Sequence, residues 1–447
     1  MKKVLAILLA GMMTATAFAG CGGGDASKSD SKSDSSGGSK SESKAPTIDP
    51  SFPDESLFGD ETDITLKVWA PDKAVNTVKE QVEAFKKHYS NTKFKSIEVV
   101  AQGESDAANM VANDPDTAAD VFGFPSDQIE KLVSQQVISP VVTGFVPTVE
   151  ANNAEKTVEA VKFTDKDGNE GLYAYPETND NGYYMVYDNT VVSEEDAKTL
   201  EGVLAACKKA GKQFVMDCGN GFYSCTFAFT GGALIDGFEE DGTTQKFVKY
   251  DEEKVLDTLQ AFAKLMKDYK GTFSSQDPAN ISTGFKNGKI GAGVDGTWNS
   301  VADKDALGKR LGTAKLPTIK VGDDDKQLIS MFGYKYIGVN SHTKFQRSAQ
   351  ILAYYLTGLD CQKQRAEKLG WGPSNTEAYN AYKDDPILVA VDAQSKNAVA
   401  QVKIAQTIWQ SMGSLGSEMY KDSWKPEDRA ATKTLFNKVI SRVRDEE

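Results

Sequence analysis

From Ile64 onward, strand-like and helix-like periodicities alternate along the chain, and this alternation restricts the fold more than any other feature. Ile64, Leu66 and Val68 alternate with Thr65 and Lys67, the two-residue period of a half-buried strand. Beyond Pro71-Asp72 the spacing changes. Val75, Val78, Val82, Phe85 and Tyr89 fall three or four apart and form one apolar helix face. Residues 94–101 return to strand character, 103–113 suit a helix, and 119–124 read as a short buried strand. A helix carrying Ile129, Leu132 and Val133 follows. This order predicts an α/β lobe with a mostly parallel sheet, since helical crossovers return the chain in the same direction.

A second rhythm begins after Pro176. It predicts strands at 183–187, 213–217 and 290–295, and helices at 196–210 and 254–269. From about Phe345 the sequence is helix-rich to its end. With 447 residues, 40% of them apolar, the chain is too long for one hydrophobic core and long enough for two.

The N-terminal segment has a different character. Lys2 and Lys3 precede an apolar stretch at 4–13 that is too short to span a bilayer, so residues 1–20 read as an export signal. Two cleavage readings compete: Ala17-Phe18-Ala19 as a small-x-small site, and Phe18-Ala19-Gly20-Cys21 as a lipobox with Cys21 lipid-modified. Residues 22–44 are almost wholly Gly, Ser, Lys, Asp and Glu. Lacking large apolar side chains, they predict a solvated tether, and a Cys at the junction favours the lipid-anchored reading.

Net charge is −13, with 64 acidic against 51 basic residues, which argues against a nucleic-acid partner and for a neutral or cationic ligand. His88 and His342 are the only histidines and stand far apart, so neither a histidine-based zinc site nor a catalytic triad is expected. No cofactor is expected either. Cys218 and Cys225 flank a short loop and either close it as a disulfide or remain buried thiols with Cys207 and Cys361.

Five segments at strand or helix ends combine aromatic with hydrogen-bonding side chains. They are Trp69-Ala70-Pro71-Asp72-Lys73, Phe124-Pro125-Ser126-Asp127, Asn179-Asp180-Asn181-Gly182-Tyr183, Gly221-Phe222-Tyr223 and Gly296-Thr297-Trp298-Asn299. Sugar recognition needs this mixture, because rings cover the C–H face of a pyranose while carboxylates and amides pair with its hydroxyls. Taken singly, each is weak, since a lone Trp is more often core and a Gly-Asn-Gly run is usually a turn. Ligands of open α/β sheets bind at the carboxyl ends of strands, so these segments are expected to share one crevice.

The order of these segments resembles the extracellular solute-binding proteins of sugar ABC importers, particularly the maltose and maltodextrin-binding branch. The likeness spans residues 62–447. Leu66-Lys67-Val68-Trp69 with Asp72-Lys73 resembles the branch's first strand and sugar-contacting pair, and Asp120 through Asp127 its glucose-binding segment. Leu172-Tyr173-Ala174-Tyr175-Pro176 with Asp180 resembles its crossover strand, and Phe285-Lys286-Asn287-Gly288-Lys289 through Trp298 the stretch whose Trp stacks on sugar. Leu369-Gly370-Trp371-Gly372-Pro373-Ser374-Asn375 resembles a late turn bordering the cleft.

The resemblance implies a two-lobed periplasmic-binding-protein-like (type II) α/β fold with an interlobe ligand cleft and a helix-rich C-terminus. Lobe 1 is expected at 61–178 plus 333–378 and lobe 2 at 183–328 plus 386–447, after a signal at 1–20 and a lipidated tether at 21–60. It further implies an oligosaccharide ligand, ABC permease subunits as partners, a monomer, and a place on the extracellular face of the cell membrane. The ligand contacts implied are Trp69, Asp72, Lys73, Phe124, Asp127, Asp180, Asn181, Tyr183, Phe222, Tyr223, Trp298 and Trp371. A last aromatic platform is Trp409, Trp424 or neither. A carbohydrate-active enzyme using Asp127 and Asp180 is the rival class, but no motif marks a nucleophile, so no catalysis is expected.

Overall fold

The computed structural model describes residues 53–239 and 245–444. The export signal, Cys21 and most of the tether lie outside the described residues.

Strand Ile64–Ala70 runs parallel to Phe94–Ala101 on one side and to Val121–Pro125 on the other. Helix Val75–His88 buries Val78, Val82 and Phe85, the face its spacing predicts, and helix Glu104–Asn113 buries Ala107, Ala108 and Val111. Further along, Gln213–Val215 lies between parallel neighbours Phe273–Ser274 and Ile290–Gly296.

Two long strands, Tyr175–Asp188 and Ser330–Val339, join these groups into one ten-stranded sheet. They are antiparallel to each other, and the first is antiparallel to Ile290–Gly296 and the second to Val121–Pro125. The expectation of a mostly parallel sheet therefore holds at the flanks and fails at the centre. The central strands carry the chain from one core into the other, and no helical crossover fixes their direction.

Residues 179–183, expected at the end of a strand, lie inside the first of these strands. Their polarity is absorbed by hydrogen bonds rather than solvent. Asn181 Nδ2 donates to Gln401 Oε1 at 2.7 Å, and Asp180 Oδ2 accepts the Gly372 N–H at 2.6 Å.

Two main hydrophobic cores result. The first gathers side chains from Phe58 to Tyr175 and from Tyr334 to Trp371; the second gathers Tyr183 to Met331 and Val399 to Val443. The helix expected at 196–210 is shorter, Leu200–Lys209, because Thr199 Oγ1 accepts the Gly202 N–H at 3.0 Å and caps it. Beyond Phe345 the chain is helical, apart from Ala398–Ala400, which pairs with Ser330–Val339. Cys207, Cys218, Cys225 and Cys361 are all buried free thiols. No helix among the described residues is long and apolar enough to cross a membrane.

Candidate functional site

A cleft of about 740 Å³ opens between the two cores, lined by turns that leave the sheet. From the first core come Asp72 and Lys73, in the single turn after Ile64–Ala70, and Asp127 and Gln128, in the turn after Val121–Pro125. From the second come Phe222 and Tyr223 at the start of helix Gly221–Thr230, Trp298 in the turn after Ile290–Gly296, and Trp409 in helix Thr407–Tyr420.

The rings concentrate on the second core's wall. Phe222 lies 5.9 Å from Trp298 and 6.2 Å from Trp409, centroid to centroid. This grouping depends on Gly221, whose place abuts the Trp409 backbone so tightly that a Cβ there would sit 2.0 Å from the Trp409 carbonyl oxygen. Asn220 Oδ1 caps the helix by accepting the Phe222 N–H at 3.0 Å. Trp371 faces this wall from the first core.

Lys335 stands between the walls. Its ammonium is 5.0 Å from the Trp371 ring and 5.8 Å from the Trp298 ring, and it pairs with Glu104 at 2.7 Å. Burial works to lower the Lys335 pKa, but the carboxylates of Glu104, Asp180 and Glu177 together outweigh it and the net shift is upward, so the cation is secure. Glu104 Oε1 is buried without a hydrogen-bond partner among the described residues.

Asp127 is buried and held by amides. Gln128 Nε2 donates to it at 2.7 Å, Gln401 Nε2 at 2.8 Å and Gln406 Nε2 at 3.1 Å. Burial raises its pKa, and bonds from Gln406 and Gln128 act in the opposite direction. Across the cleft mouth, Lys73 Nζ donates to Asn299 Oδ1 at 2.6 Å and to the Trp298 carbonyl at 3.2 Å. Rings on two sides and fixed polar groups between them suit a flat, hydroxyl-bearing ligand.

The model of the bacterial extracellular solute-binding proteins matches residues 80–390. This chain belongs to that family. Among curated relatives of this solute-binding protein is the maltooligosaccharide ABC transporter solute-binding lipoprotein of Streptococcus pneumoniae serotype 4. It is 26% identical over 66% of this chain and 70% of the relative. The galactooligosaccharide-binding protein of Bacillus subtilis strain 168 is 25% identical over 73% and 76%. A structure solved with acarbose superposes with a TM-score of 0.75 at 26% identity, over 86% of this chain and 99% of the other.

Of the side chains singled out in sequence, the solute-binding protein brings Asp72, Lys73, Asp127, Asn181, Phe222, Tyr223, Trp298, Trp371 and Trp409 to the cleft. Five others lie elsewhere, among them Trp424, which packs against the second core. Phe124 points into the first core, 5.6 Å from Phe122 and 5.8 Å from Tyr336, because strand alternation turns it away from the cleft. Trp69 is buried in the same core. Tyr183 is fully buried, its hydroxyl 2.6 Å from Thr226 Oγ1 and accepting the Met331 N–H at 3.2 Å. Asp180 spends its carboxylate on the Gly372 backbone, and its carbonyl accepts from Thr297 Oγ1 at 2.9 Å.

Glu104, Lys335, Gln401 and Gln406 escaped sequence reasoning. Only Lys335 left a usable trace, a lone cation within the apolar run of Ser330–Val339.

Proposed function

We propose that this protein captures malto-oligosaccharides in the cleft and hands them to the permease subunits of an ABC importer. Lipid on Cys21 holds it, as a monomer, to the extracellular face of the cell membrane. The cores at 61–178 with 333–378 and at 183–328 with 386–447 act as lobes that close about Tyr175–Asp188 and Ser330–Val339.

The observation that carries the reading is the opposition of Trp298, Phe222 and Trp409 to Trp371, with Lys335 between them. Glucose rings stack on such faces, and hydroxyls meet Asp72 and Asn181. A sugar that leaves these buried polar groups unpaired binds poorly, which gives selectivity. The names and bound ligand of the relatives support the same sugar class. A role without catalysis is supported by Asp127 and Asp180, which do not face one cavity as a glycosidase pair would.

Calorimetric titration with maltotriose, xylotriose and galactotriose, followed by chromatography of the recovered sugar, tests this. Saturable heat with maltotriose alone and intact sugar afterwards are expected. Heat with galactotriose alone would move the ligand to the other relative's class, and shortened sugars would make the protein an enzyme.

A further inference from the structure

The central strands present a second cavity on the face opposite the cleft. Lys335 and Gln401 point into the cleft, whereas Phe332, Tyr334, Ala398 and Ala400, from the same strands, line a separate space of about 590 Å³. Alternate residues of a strand point to opposite faces, so the two cavities stand back to back. They have no lining residue in common.

The chemistry of this second cavity differs from that of the cleft. Four rings, Phe163, Phe332, Tyr334 and Tyr379, wall it, and no tryptophan does. Lys156 and Lys403 line it as well, and neither forms an ion pair among the described residues. The three acids that line the cavity are engaged, Glu159 with Lys162 at 2.6 Å, Asp392 with Lys396 at 3.1 Å, and Asp180 with the Gly372 N–H at 2.6 Å. Glu130 acts on Lys403 only at longer range. Lys403 also holds a left-handed backbone, φ 53°, at the bend between Gln401 in the cleft wall and Gln406.

A ring-walled cavity with two unpaired ammonium groups suits a ligand that is flat, apolar and negatively charged. Buried ring area supplies attraction, and the anion answers the two cations. We infer that this cavity is a second ligand site, distinct from the cleft, that takes a small aromatic anion. The inference goes beyond the sugar reading and does not depend on it.

Fluorescence titration of the whole protein with anilinonaphthalene sulfonate tests the site. Saturable binding to one site is expected, weakened about tenfold in a K156E/K403E variant. Loss is expected in Ala160→Trp, which fills the cavity from the turn after helix Glu155–Glu159, and no change in Trp298→Ala, which alters only the cleft. Thermal unfolding of each variant reports that it is folded. Absence of saturable binding, or a loss in Trp298→Ala with Ala160→Trp and the lysine variant unaffected, would overturn the inference.

Discussion

The Lys73 ammonium donates to Asn299 Oδ1 at 2.6 Å, joining the two walls of the cleft across 226 residues of chain. The bond does not end there. Asn299 Nδ2 donates to Asp295 Oδ1 at 2.7 Å, so the orientation of a cleft-wall amide is fixed from beneath by a buried acid. Lys73 itself is exposed, so its bonds add little to folding and act chiefly on how the walls meet. Lys73→Met is expected to weaken maltotriose binding about tenfold, ~1.4 kcal/mol. Its urea midpoint should match wild type, which paired calorimetry and denaturation would check.

Asp127 behaves differently because it is buried among three amide donors. Asp127→Ala leaves those donors without their acceptor in a largely buried part of the cleft wall. A loss of roughly 1–3 kcal/mol of stability is expected along with weakened sugar binding. Urea denaturation read by far-ultraviolet circular dichroism measures the first effect, and a stability equal to wild type would count against the network.

Beneath Trp298, Asp303 and Asp295 are both fully buried, with the Tyr184 hydroxyl donating to Asp303 Oδ2 at 2.9 Å and Lys73 acting on both acids. Burial pushes the Asp303 carboxyl up to about 7, and burial with the Asp303 charge raises Asp295 as well. A raised folded-state pKa means that the folded chain holds a proton which the unfolded chain has released. This contribution to stability is full below the unfolded value near 4 and is lost as pH rises through about 7. Stability should therefore fall between about pH 4 and 7, by at most ~1.4 kcal/mol per pH unit for each proton. Asp303→Asn should flatten that slope. Glu177, raised by burial to about 7, leaves part of it in place.

How much of this was legible beforehand depends on whether a property is local. Helix Val75–His88 and strand Ile64–Ala70 follow from spacing alone, and Trp298 and Asp127 follow from their place just beyond strand ends. Phe124 and Trp69 were misplaced because composition near a strand end does not say which way the last strand residues face. The polar run at 179–183 reads as lying at a strand end, yet tertiary partners such as Gln401 and Gly372 hold it inside one. Gln401 and Gln406 reach Asp127 from nearly three hundred residues away, a proximity that no local pattern encodes.

At the N-terminus, Cys21→Ala is expected to move the protein from the membrane fraction to the medium in cells that export it. Fractionation followed by immunoblotting reads this directly. Retention of the alanine variant at the membrane would point to an attachment other than lipid.

The central claim is that Trp298, against Phe222 and facing Lys335, forms a platform for sugar. Titration of wild type and Trp298→Ala with maltotriose, side by side, tests it most directly. Saturable binding by wild type, weakened at least about tenfold in a variant that remains folded, is the result predicted. Equal binding by both proteins, or none by either, would contradict it.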